Sequence, residues 1–116
     1  MDADEIINES IGLGARDGLA ALGPVQGFVY MISEAEVCCD KDGIDSLLDR
    51  YGDHSMVRFA EAFLAVGAAE IARALSKIPS CSVGERETLL TRANDLITSR
   101  AGYSYESIRA FVAGGT

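Results

Sequence analysis

The sequence is poor in the residues that build many kinds of site. It has no Trp, one His, two Pro and three Cys among 116 residues. A single His excludes multi-histidine metal centres, including the helical-bundle di-iron pattern that needs Glu-x-x-His twice. Two Pro are too few for a proline-rich adaptor. Cys38, Cys39 and Cys81 form an odd set with one adjacent pair, which is no secreted disulfide framework. No C-x-x-C pair is present, and neighbouring residues of a helix point about 100° apart, so the thiols read as core residues and no metal is expected. Neither a P-loop nor a strand leading into G-x-G-x-x-G occurs, and no cofactor is expected. No apolar run reaches the ~18 residues that cross a bilayer. The opening Met1-Asp2-Ala3-Asp4-Glu5 is acidic where a secretory signal is basic. These points lead to the expectation of a cytoplasmic protein with reduced thiols.

Basic residues are scarce as well. Ten Lys and Arg stand against eighteen Asp and Glu, a net charge of −8. The surplus is uneven. Residues 1–53 hold twelve acids and three bases, whereas residues 54–116 hold six acids and seven bases. Phosphate binding needs a basic footprint, so neither nucleic acid nor an anionic membrane is an expected direct partner. Basic protein surfaces stay open as partners. A charge of this size also serves plain solubility.

What is present is helix. Apolar residues recur at three- and four-residue spacing, and no segment alternates as a half-buried strand does. The expected fold is all-α: one compact domain over residues 1–116, a bundle of six to seven short helices. The first helix is expected over Asp4–Leu13, ended by Gly12 and Gly14. A turn over Gly18–Leu22 follows. The second runs from Pro24, a favoured first helical residue, to Asp40. It is apolar over so much of its girth that it reads as the central helix. Glu36 falls on its apolar stripe and therefore needs a partner. A third helix, Gly43–Tyr51, stops at Gly52. Asp53 or Ser55 caps a fourth that Gly67 breaks. The fifth spans Ala68–Ile78. Ser82-Val83-Gly84-Glu85 fits a capping box and opens the sixth, which Gly102 ends. The last spans Ser104–Ala113, and the Gly114-Gly115-Thr116 tail is expected to fray.

Candidate chemistry is thin. His54 precedes Ser55, but adjacency alone supplies neither a third group nor convergence. Glu34 and Glu36 lie two apart on a helix, hence on different faces. One acidic set is ordered. Asp42, Asp45, Asp49 and Asp53 follow at spacings of three, four and four, with Asp40 just before them. On a helix such a row rises about 4.5 to 6 Å per step. One DNA strand presents a phosphate about every 3.4 Å of duplex axis. The row therefore matches phosphates in sign and approximately in spacing. It equally supplies the polar face that an amphipathic helix with Ile44, Leu47, Leu48 and Tyr51 inward requires.

The stretch from Gly18 to Ile78 resembles a bacterial family of all-helical domains, mostly of unknown function, one branch of which comprises DNA-mimic proteins. Gly18-Leu19-Ala20-Ala21-Leu22 matches the family's Gly-Leu-x-x-Leu entry, and Glu34-Ala35-Glu36-Val37 its paired-acid motif. Val66-Gly67-Ala68 stands for the family's Ile-Gly-Ala and is the best match, continuing through Glu70, Ala72 and Leu75. Leu89 to Val112 is similar to its closing helix pair. The family's Asn-Gly-Gly-Phe turn is replaced by Lys41-Asp42-Gly43-Ile44, with Cys38-Cys39-Asp40 inserted before it, and its Gln-Tyr-Phe run by Ser46-Leu47-Leu48. The resemblance implies an all-α fold and an acidic module that engages a basic or DNA-binding protein. In that reading Asp42, Asp45, Asp49 and Asp53 are phosphate surrogates. Glu36 braces the turn at Gly43, and Gly67 is structural. The expected function is non-enzymatic binding. The alternatives are a small-molecule binder or hydrolase with a pocket of Tyr30, Glu36 and His54, and a structural homodimer joined through an exposed apolar helix face.

Overall fold

The computed structural model describes residues 2–115, all-helical apart from turns and short connections. In chain order the helices are α1 (Ala3–Asp17), α2 (Pro24–Lys41), α3 (Ile44–Tyr51), α4 (Met56–Ala65), α5 (Ala69–Lys77), α6 (Val83–Thr98) and α7 (Tyr105–Gly115). Single 3₁₀ turns at Leu19–Ala21, Asp53–Ser55 and Ile78–Ser80 join some of them. Thr116, the end of the expected fraying tail, lies outside the described residues.

The wide apolar girth of α2 has its predicted consequence. Val29, Tyr30, Met31, Ile32, Ala35, Cys38 and Cys39 are buried, and α2 packs against α1, α3, α4, α6 and α7. Around it Leu47, Met56, Phe59, Phe63, Ile71, Leu75, Ile97 and Val112 complete a core cluster. Phe63 meets Tyr103 edge-on at 5.5 Å between ring centres, and Tyr51 meets Phe59 the same way at 5.1 Å. Such pairs add about 0.5–1.5 kcal/mol each beyond area burial.

The chain's punctuation differs from expectation at three places. First, α1 does not stop at Gly12 or Gly14 but runs through both to Asp17, ending at Gly18. Gly14 is buried because α1 crosses α2 there, and a Cβ on it would clash with the ring of Tyr30. The glycine serves close approach, not termination. Second, α6 ends at Thr98, not at Gly102. Arg100 takes φ +55°, the sole non-glycine with positive φ among the described residues. Its N–H donates to Ile97 O at 3.0 Å and that of Ala101 to Leu96 O at 2.9 Å, a Schellman closure usually built on glycine. Third, Ser55 occupies the N-cap position of α4, as one of the two expected candidates, but its side chain makes no capping bond. Ser55 Oγ donates back to Tyr51 O at 2.7 Å.

Two expectations hold in detail. Ser82 and Glu85 form the reciprocal capping box of α6. Gly67, at φ +90°, closes α4: its N–H donates to Leu64 O and that of Ala68 to Phe63 O, which turns the chain straight into α5.

Candidate functional site

The acids begin where α2 ends. Asp42 is the C-cap of α2, Gly43 turns the chain with φ +91°, and α3 follows. Asn94 of α6 holds this turn, its Oδ1 accepting from the N–H of Ile44 at 3.0 Å. Ser46 Oγ donates to Gly43 O at 2.9 Å. With Ile44, Leu47 and Leu48 buried, Asp45 and Asp49 are left on the outer side of α3.

The four-carboxylate row is not uniform. Asp42 and Asp49 share a groove with Lys41, Ser46 and Arg50. Asp45 lines a different groove, against Val83, Arg86, Glu87 and Leu90 of α6. All three are exposed, and none makes an ion pair with a described residue. Asp53 is otherwise engaged: Arg86 grips both its oxygens, at 2.7 and 3.1 Å. That hydrogen-bonded guanidinium holds the Asp53 carboxyl below its usual range. Asp40 is gripped likewise by Arg100, at 3.0 and 2.7 Å, with the same effect.

Glu36 has the partner its position demands, though not at the Gly43 turn. It accepts from the Tyr103 hydroxyl at 2.5 Å and lies 3.1 Å from Arg100 Nε. It therefore ties α2 to the α6–α7 connection, and Asn94 does the work expected of it at Gly43. Arg100 can reach Glu36 and Asp40 together because both project from one side of α2, four residues apart.

Sequence reasoning missed a second cluster. On the other side of α2 the Glu34 side chain is only 12% exposed. It accepts from Tyr30 at 2.6 Å and Tyr51 at 3.0 Å, and pairs with Arg50 at 3.3 Å. The spacing of four from Tyr30 to Glu34 was a usable signal. The contribution of Tyr51 and Arg50 required the α2–α3 packing. Burial, then the bond to Glu34, raises the hydroxyl pKa of both Tyr30 and Tyr51. Tyr103 is raised for the matching reasons, burial and Glu36. Protonated phenols thus serve as donors to carboxylates at both sites.

Tyr30, Glu36 and His54 do not form the pocket expected of an enzyme. Tyr30 bonds Glu34, Glu36 bonds Tyr103 and Arg100, and His54 is exposed in the turn before α4. No hydrogen bond or ion pair joins any two of them among the described residues. The cysteines are free thiols. Cys38 and Cys39 are buried on α2, and Cys81 donates to Ile78 O. Burial, foremost, pushes the Cys39 thiol up to about 12, leaving it an unreactive core group. Among the described residues no group of three or more His, Cys, Asp and Glu is placed to hold a metal, and no helix is long and apolar enough to cross a membrane.

No family model, curated protein or solved structure matches the chain.

Proposed function

We propose that this domain works by binding, as a non-enzymatic acidic module whose α3 sector engages a basic protein surface in the manner of a DNA mimic. One observation carries the reading. Arginines take up Glu34, Glu36, Asp40 and Asp53, while Asp42, Asp45 and Asp49 are left exposed without an ion pair among the described residues. The row of phosphate surrogates shortens accordingly from four members to three. Exposed like charges around one helix steer an oppositely charged partner into fast, salt-sensitive association.

The test is capture of partners from a bacterial lysate at low and moderate salt, with the wild type and with Asp42, Asp45 and Asp49 all changed to Asn. The expected result is a basic partner held at low salt, released at moderate salt, displaced by duplex DNA and not held by the triple variant. Capture indifferent to salt and to the three substitutions overturns the binding reading. Capture that duplex DNA fails to displace removes the mimicry and keeps only an acidic docking sector.

A further inference from the structure

α4 and α5 form a tight helical hairpin around Gly67, and its outer face is bare. Val57 and Leu64, two turns apart on α4, are 44% and 60% exposed. Glu61 stands between them, and Ala69, Arg73 and Ser76 of α5 border the same shallow groove, floored by Ala60 and Ala72. Glu61 and Arg73 are exposed, opposite in charge and free of ion pairs with described residues.

We infer that this face binds a second copy of the chain in a two-fold symmetric dimer. Charge selects the occupant. Each copy carries −8, so two copies repel wherever their acidic halves meet. Residues 56–77 hold two acids and three bases, so the hairpin face is free of the surplus. A two-fold axis through the middle of the groove sets Glu61 of one protomer opposite the partner's Arg73, and the pair occurs twice. An apolar floor with one acid and one base on its rim is thus complementary to itself. The small side chains of Ala60, Ala69, Ala72 and Ser76 allow close helix approach, and Val57 and Leu64 supply apolar area to bury. The face includes none of Asp42, Asp45 and Asp49, so the dimer does not depend on the binding role proposed for them.

Sedimentation equilibrium of the full chain from about 10 μM to about 1 mM, the range of a weak but specific contact, tests the inference. The expected mass rises from 12.3 kDa toward twice that value. Leu64→Glu, at an exposed position, keeps the helical circular dichroism and stays monomeric. Glu61→Arg and Arg73→Glu each weaken association about tenfold, and the two together restore it, a signature only a reciprocal pair produces. A wild type that stays monomeric at 1 mM overturns the inference. So does a dimer that Leu64→Glu leaves intact, or one that the double charge exchange fails to rescue after the single changes have weakened it.

Discussion

On α2, Glu34, Glu36 and Asp40 each meet an arginine, and the two glutamates also meet tyrosine hydroxyls. A few residues later Asp42, Asp45 and Asp49 make no ion pair with a described residue. The two sets carry the same charge on adjoining elements and have opposite physical meaning. Glu34 and Glu36 are partly buried, so each must be satisfied; Asp40 is exposed but is gripped by the same arginine as Glu36, and all three fasten α2 to a neighbouring element. The later aspartates stay in water, where a charge costs little and fastens nothing. Composition alone counts all six alike. Their surroundings divide them into structural and available charge.

The largest effect that can challenge this division is expected at Glu34. Glu34→Ala leaves two partly buried phenol hydroxyls without their acceptor, and about 3 kcal/mol of stability should be lost, as read from urea unfolding. Wild-type stability in this variant would place Glu34 with the idle acids. Arg100 comes next. Arg100→Ala removes the clamp on Glu36 and Asp40 and should cost about 1–2 kcal/mol. Arg100→Gly also loses the clamp but relieves a left-handed backbone, so it should be the milder change by about 1 kcal/mol.

Smaller effects should follow pH. Asp40 and Asp53 have folded pKa values below the ordinary 3.8, so their contribution is present above that pH and is lost as pH falls through and below it. Tyr51 and Tyr103 are raised above 10.0, so their contribution is present below pH 10 and is lost as pH climbs beyond it. Urea midpoints across pH should therefore drop at both ends, and Arg100→Ala should flatten the acid side. An acid side unchanged in that variant would show that the Arg100–Asp40 pair contributes nothing. The smallest effect is expected for Asp42→Asn, Asp45→Asn and Asp49→Asn, which should leave the unfolding midpoint where it was. A marked change there would move these residues into the structural set.

Much of the fold could be read locally. Period, capping box and the Gly67 stop depend on residues within a few positions of one another, and these agree with the structure. Errors arose where a residue's role was set by something distant in the chain. Gly14 looked like a stop because its reason, the ring of Tyr30, lies on another helix. Arg100 reads as the last turn of a helix ended by Gly102, because nothing local marks a left-handed arginine; its side chain is held by acids about 60 positions earlier. Glu36 announced that it needed a partner without saying which, and Tyr103 and Arg100 are far along the sequence. The acidic row was legible as a spacing. That Arg86 would occupy Asp53 was not, because α6 reaches that turn only in the folded chain.

The seat of Gly14 on Tyr30 ties the two sides of α2 together. The ring that fills the notch in α1 is the ring whose hydroxyl is fastened to Glu34, so it cannot swing aside without breaking that bond. The first helix is thereby keyed in register, like a bolt whose slot is cut by a side chain pinned from behind. Loosening that pin on the α3 side should be felt as play in the N-terminal helix, which makes contact with neither Tyr51 nor Arg50 necessary for the two ends of the molecule to sense each other.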